Sequence, residues 1–408
     1  MLEQLRNKKI AIVGLGKNNQ KLAEFLSGKN IKYEIVDGWK SPNELVGKLD
    51  SFDIIFRSPG LPYLSAAVQQ AKRAGVQILS QTKLFFQLCP APIVGVTGTK
   101  GKGTTSSLIA KILETAGRRT WLAGNIGRDP FEFVEKLSAS DIVVLELSSF
   151  QLQDLGQSPH IAVVLSITPD HLNHHHDFEE YIHAKAQILS HQKPTDFAVL
   201  HPNLPDWFKN QGQAEKIVIE PGKVAQLKRK LLGEHNLDNI AAAKAVAEIL
   251  KIDPKVVEKV VAEFEPLPHR LSVLKTVKGI TYIDDGFSTN IEPTIAAINA
   301  VTTPVILIIG GSEKGLDFTA LGKKIVSADK VKGLVVIGEV TGKILKVVEG
   351  FKGKVLTGAE NMTKILEQAQ SLAAAGDTIL FSPATASFGL FKDEFDRAEQ
   401  FVNAADKL

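Results

Sequence analysis

Among the 408 residues there is a single cysteine, Cys89. One thiol excludes an internal disulfide and any zinc centre built from several cysteines. No apolar run approaches the roughly 20 residues needed to span a bilayer. No basic segment followed by an apolar stretch opens the chain, so no secretory signal is read. The net charge is only +3, which gives no electrostatic case for nucleic acid or an anionic membrane surface. No short repeat and no low-complexity tract is found. What is present is an ordinary apolar content of 44%, ample for a core, in a chain long enough for two or three domains. The expectation is a soluble, cytoplasmic enzyme, a monomer without membrane insertion or nucleic-acid binding.

Apolar runs and helical stretches alternate along the chain. Residues 9–16, 32–38 and 53–60 read as strands, with a helix reaching about Ser27. Proline-rich residues 89–92 read as a linker. Further strands are expected at 93–97, 141–149, 161–168 and 196–201, and helices near 236–250 and 254–264. A second proline pair, Pro266 and Pro268, marks another boundary. Beyond it strands are expected at 280–285, 305–311, 333–338, 354–357 and 377–384. Strand–helix alternation of this kind gives doubly wound parallel sheets. The expected fold class is therefore α/β with three consecutive domains, bounded at 1–89, 90–266 and 267–408.

The most informative stretch is IVGVTGTKGKGTT, residues 93–105. A buried strand runs into a turn of Gly98, Thr99, Lys100, Gly101, Lys102 and Gly103, followed by a helix expected to begin near Thr104 and Thr105. Such a turn lets backbone N–H groups and a helix N-terminus surround phosphate oxygens, with Lys102 as a point charge. The strict pattern G-x-x-x-x-G-K-[ST] is not met, because Val96 stands at its first position and Gly103 follows the lysine.

Other groups fall at expected strand ends. The turn 14-GLGKNN-19 has Asn19 where a dinucleotide fingerprint has its third glycine, and Asp37 closes the next strand. NAD, a nucleotide diphosphate such as UDP, or a plain strand–helix turn all fit it. Glu146 ends an apolar strand beside the phosphate loop, where a carboxylate can hold Mg²⁺. Ser148, Ser149 and Gln151 add polar groups to that crevice. Residues 171–176 hold four histidines. Zinc is disfavoured, since cysteine is missing and the adjacent trio cannot all point one way. Residues 174–176 read as a solvated helix-entry loop, whereas His171 follows a strand and Asp170. Lys185 lies on the next helix. A lysine near metal and phosphate must pair with phosphate or lose its charge, and carbamylation by CO₂ would do the latter while creating an oxygen ligand.

The succession GTKGKGTT, GNIG, LELSSFQL, TPDHL, YIHAK, GEHNLDN, LPHR, YIDDGFSTN, GGSEK and SPATAS spans nearly the whole chain and resembles the Mur ligases of peptidoglycan synthesis. LPHR and the C-terminal pattern favour the D-glutamate-adding member. The resemblance implies a Rossmann-like N-terminal domain, a P-loop ATP-binding central domain and a Rossmann-like C-terminal domain. It implies an ATP-dependent amide ligase that phosphorylates the carboxylate of UDP-N-acetylmuramoyl-L-alanine and couples D-glutamate to it, with ATP and Mg²⁺ as cofactors. On matching positions, Gly14, Leu15, Gly16, Lys17, Asn18, Asp37 and Gly60 would hold the UDP part, with Asn125 near the sugar and Ser148 and Gln151 also binding this substrate. Residues 98–105 would hold ATP phosphates. Thr104, Glu146, His171 and a carbamylated Lys185 would bind Mg²⁺. Asn236, Asn239, Arg270 and Asp285 would contact the nucleotide. Thr289, Lys314, Ser387 and Phe388 would face the incoming glutamate.

This chain departs from the family pattern at several positions. Phe287 stands for a family lysine and Gly286 for a serine; residues 392–395 carry one extra residue, and Ala398 stands for a glycine. The Gly103 variant also suggests a folylpolyglutamate-synthase-like ligase, whose ATP loop lies near the N-terminus; here about ninety residues precede it. A non-catalytic nucleotide-sugar-binding relative is the other alternative. Phosphate release with each substrate separates the three.

Overall fold

A computed structural model describes residues 2–170 and 174–408. The chain divides into two compact units, one of residues Met1–Leu227 and Leu237–Val261, the other of Lys228–Asn236 and Ala262–Leu408. The first carries two sheets and the second carries one.

In the first unit, strands Ile10–Val13, Glu34–Val36, Ile54–Arg57 and Gln77–Ser80 form a parallel sheet. A six-stranded sheet follows in which each pair is parallel. Its strand Ile93–Thr97 lies between Ile142–Glu146 and Ile161–Val164. That reversal of strand order opens a crevice at the carboxyl ends, and the glycine turn sits in it. The strand is buried at every position. Gly95 lies in its middle because a Cβ there would stand 2.8 Å from Pro159. One apolar core runs through both sheets of this unit and includes Phe25, Phe85, Phe131 and Phe133.

The second unit's sheet is parallel except for its edge strand Ser272–Val277, antiparallel to Ile280–Asp284. Thr378–Phe381 lies between Ile280–Asp284 and the buried strand Val305–Gly310. The loops leaving these three strands are therefore neighbours.

Four strands exceed the sequence expectation: Gln77–Ser80, Thr120–Gly124, Glu215–Val218 and Ser272–Val277. They are edge strands of their sheets. Edges keep polar residues facing water, so they lack the continuous apolar run that reveals an interior strand.

Candidate functional site

The central crevice begins with the residues of the glycine turn. Gly101 has φ +83° and a Cβ there would fall 2.2 Å from Asn239 Oδ1. Gly98 has φ +150° and backs onto Leu165. These two residues let the turn close tightly before the helix Lys102–Thr115, which starts two residues earlier than its apolar pattern suggests. Thr99 pins the turn from inside: its hydroxyl lies 3.0 Å from Thr168 O and 3.0 Å from Tyr181 Oη. Lys102 folds over the turn and donates to Gly98 O at 3.2 Å and Thr99 O at 3.0 Å. Lys100 pairs with Asp170 at 3.2 Å. Thr105 donates to Asn239 Oδ1 at 3.1 Å, so Asn239 braces both the turn and the helix start. Thr104 lies half-buried in the first helical turn.

Lys185 comes to the same turn from helix Phe178–Ser190, which Asp177 caps by accepting from Glu180 N. It is 2% exposed, donates to Gly98 O at 3.0 Å and lies 4.7 Å from the Tyr181 ring centre. Burial holds its ammonium well below the usual lysine range; Lys102 adds to this, and Asp170 and Glu146 oppose it. Glu146 is buried at its strand end, opposite Gly124. Asn125, exposed, donates its backbone N–H to Glu146 O at 3.4 Å. Ser148 and Gln151 form a capping box on the short helix that follows. His171, with Leu172 and Asn173, lies outside the described residues. Among the described residues no three His, Cys, Asp or Glu side chains gather as a metal cluster. The donors at hand fit Mg²⁺ in kind, since Thr104 and Glu146 offer a hydroxyl and a carboxylate from adjacent strand–helix turns, and hard dications take oxygen.

The histidine trio differs from the solvated loop expected of it. His174 and His176 are exposed, but His175 is 3% exposed. Its ring stacks on Phe150 at 5.1 Å, and its nitrogens meet Ser149 Oγ at 2.9 Å and Glu180 Oε1 at 3.0 Å. The one sequence signal for it was Glu180, five residues on and in the first turn of the helix, able to receive an imidazole.

At the N-terminal sheet, Gly14 has φ +83°, and a Cβ would stand 2.5 Å from Ser58 Oγ. Asp37 accepts from Leu15 N at 2.9 Å and from Gly38 N at 2.8 Å, so its carboxylate holds the turn. Asn19 is buried and donates to Gly14 O at 2.8 Å, which gives the missing glycine a structural replacement. Gly16 caps the helix that Lys17 and Asn18 begin. Gly60 is exposed in the turn after Ile54–Arg57.

In the second unit, Asp285 accepts from Leu271 N at 3.2 Å, from Ser382 Oγ at 2.7 Å and from Ser288 Oγ. Burial raises its carboxyl to about 6. Arg270 is exposed, its guanidinium 5.5 Å from the Phe287 ring centre. Phe287 also packs on His269 and Phe395. Asn236 donates to Leu232 O at 2.7 Å. Lys314 donates to Asn290 Oδ1 at 2.7 Å, beside Thr289. Ser387 is 1% exposed, and its hydroxyl, like that of Ser312, has no hydrogen-bond partner among the described residues. Phe388 is 62% exposed. Two of the departures prove to be a single exchange: a Cβ at Gly286 would stand 2.6 Å from Ala398 Cβ. A methyl gained at 398 fills the space that a side chain at 286 would need.

Known proteins match this chain over its full length. The model of the Mur ligase middle domain matches residues 96–218, and that of the Mur ligase glutamate ligase domain matches residues 269–385. A UDP-N-acetylmuramoylalanine–D-glutamate ligase of Acetivibrio thermocellus is 33% identical over 100% of this chain and 98% of its own length. One of Symbiobacterium thermophilum is 32% identical over 98% of each. Among solved structures, UDP-N-acetylmuramate-alanine ligase MurC of Thermotoga maritima superposes with a TM-score of 0.63 at 18% identity, over 98% of this chain and 100% of that one. MurF ligase of Thermotoga maritima in complex with ADP gives 0.61 at 18% identity, over 100% and 96%. At such identity these two speak for the fold alone. No helix among the described residues is long and apolar enough to cross a membrane.

Proposed function

We propose, from the premise that this chain belongs to the Mur ligase family, that it joins D-glutamate to UDP-N-acetylmuramoyl-L-alanine at the expense of ATP. The full-length likeness to the D-glutamate ligases supports this. The observation that carries it at the site is the glycine turn with two lysines on its carbonyls and Glu146 at the neighbouring strand end. Three strand–helix turns divide the work. Residues 1–89 take the UDP part through the turn at Gly14, Asp37 and Gly60. Residues 90–266 take ATP, and residues 267–408 take glutamate through Thr289, Lys314 and Ser387.

The chemistry follows from charge. An alanyl carboxylate oxygen attacks the γ-phosphorus of ATP, the bond to ADP breaks, and an acyl phosphate results. Lys102 and the N–H groups of the turn offset the phosphate charge during that transfer. Thr104 and Glu146, with His171 from outside the described residues, would hold Mg²⁺, which when bound would further neutralise the phosphates. Lys185, whose ammonium burial holds well below the usual lysine range, serves as a carbamate formed with CO₂. The amine of glutamate then attacks the acyl carbon, phosphate leaves, and a proton is lost to give the amide. Water has to be kept from the acyl phosphate meanwhile. Lys314 pairs with a glutamate carboxylate, and the buried hydroxyl of Ser387 suits the same ligand. ATP and a nucleotide-linked sugar as substrates favour a cytoplasmic reaction, and the enzyme is taken to act as a monomer.

Phosphate release tests the reading. It is expected with UDP-N-acetylmuramoyl-L-alanine, ATP and D-glutamate together, and with no other amino acid at comparable rate. Lys314→Ala should raise the KM for glutamate ten- to a hundredfold, as loss of one charge-assisted hydrogen bond of about 1.5–3 kcal/mol implies. The KM for ATP should stay put. Release with a folate acceptor, or none with any substrate set, overturns the reading.

A further inference from the structure

We infer that Arg57 is a positioning residue that holds two substrate-binding turns in register, an inference that rests on the function proposed above. Arg57 closes the strand Ile54–Arg57 and is 1% exposed. A buried guanidinium needs acceptors for all five of its N–H groups. It has five. Nε donates to Asp154 Oδ2 at 3.3 Å. Nη1 donates to Ser58 O at 3.3 Å and Leu61 O at 2.7 Å. Nη2 donates to Phe150 O at 2.8 Å and Asp154 Oδ1 at 2.9 Å. The Asp154 side chain is 2% exposed, so the pair is shut away from water.

The acceptors come from two stretches of chain that are far apart in sequence. Ser58 and Leu61 bracket the turn that carries Gly60, and Ser58 Oγ packs under Gly14. Phe150 lies between Ser148 and Gln151, on the short helix that follows Glu146. One planar side chain thus ties the turn proposed for UDP to the helix whose Ser148 and Gln151 would bind the same substrate. Lys83 adds a brace by donating to Asp154 O at 3.1 Å. Stability alone does not call for such a device. A buried ion pair is often replaced by apolar side chains at no cost, and an apolar core already joins the two sheets here. What apolar packing does not supply is five directional bonds that set the spacing of two loops. A substrate bound at both ends needs that spacing, because its second contact is effectively intramolecular only when the two sites stand at the right distance.

The test uses two ligands, UDP and UDP-N-acetylmuramoyl-L-alanine, with dissociation constants measured by calorimetry for wild type, Arg57→Lys and the paired change Arg57→Met with Asp154→Leu. The readout is the ratio of the UDP constant to that of the whole substrate. Partial unfolding weakens both ligands equally and cancels from that ratio. The expected result is a ratio at least tenfold smaller in Arg57→Lys, whose single ammonium cannot reach five acceptors, and also in the paired variant with its melting temperature kept. An unchanged ratio in Arg57→Lys overturns the inference and leaves the pair a structural contact. Should wild type bind neither ligand, the functional reading itself has failed, which is a different outcome.

Discussion

Asp285 is a carboxyl that burial has made a weaker acid, raised from 3.8 to about 6 despite its hydroxyl donors and Arg270. The folded chain therefore keeps a proton on it that the unfolded chain gives up between about pH 4 and pH 6. That stabilisation is full below about pH 4 and gone above about pH 6, and it amounts to no more than about 3 kcal/mol. Denaturant unfolding of wild type and Asp285→Asn should show the difference in stability moving toward the variant as pH rises through this window and staying level above it. A difference that is flat from pH 4 to 7 would show that the carboxyl is not so perturbed. Lys185 shifts the other way. Its buried amine is neutral well below the ordinary lysine range, so the unfolded chain binds the extra proton, and stability rises with pH up to the unfolded lysine value. A neutral amine is also the form that attacks CO₂, its lone pair adding to the carbon and a proton leaving nitrogen to give the carbamate. Lys185→Ala is expected to lose at least a hundredfold in turnover and to regain part of it with formate or acetate. Wild type stripped of CO₂ and bicarbonate should slow reversibly. Full activity with an amine shown by mass spectrometry to be unmodified would rule the carbamate out.

Between residue and fold, the decisive element is the turn that joins strand Ile93–Thr97 to helix Lys102–Thr115. Its two glycines answer two separate demands, a positive φ and room for Asn239 and Leu165. Gly101→Ala meets both obstacles at once. The left-handed conformation costs about 1–2 kcal/mol for a residue with a Cβ, and the methyl would press on the side chain that braces the helix start. The expected outcome is a lower melting temperature together with a raised KM for ATP. Loss of stability with an unchanged KM would mean that the turn does not carry the phosphates. The helix Phe178–Ser190 is the second such element. It delivers Tyr181 and Lys185 to the turn from one buried face, being four residues apart, while Glu180 holds His175.

At the scale of the whole molecule, the first unit holds two sheets joined by a shared apolar core, with a second core on the other face of the N-terminal sheet, and residues 228–236 are the only part of the chain before Ala262 that belongs to the second unit. A chain ending at Glu263 keeps all of the first unit. It should fold in one cooperative transition and bind UDP with wild-type affinity, yet release no phosphate with glutamate, since Thr289, Lys314 and Ser387 are gone. Calorimetric melting and UDP titration check this. Failure to fold would mean that the second unit is needed to stabilise the first.

The order of strands and helices, and the chemistry of the phosphate turn, were determined by the sequence itself. Interior strands such as 93–97 and 305–310 are buried on both faces and read as unbroken apolar runs. Glycines with lysines at a strand's end have few other uses. The four hidden strands are edges without a long apolar run, whereas the edges Glu34–Val36 and Lys354–Leu356 were legible from their place in the strand–helix alternation. Tertiary structure decided the rest, since it depends on residues distant along the chain. His175 looked like one of three solvated histidines until Phe150 and Ser149 covered it. Arg57 drew no notice at the end of an ordinary strand, because its partners Phe150 and Asp154 come some ninety residues later. Gly286 and Ala398 stood as two separate departures, and only their contact across the second unit makes them one. A sequence specifies periodicity and turn chemistry locally, but a hydrogen bond or a packing contact exists only once the chain has folded back on itself.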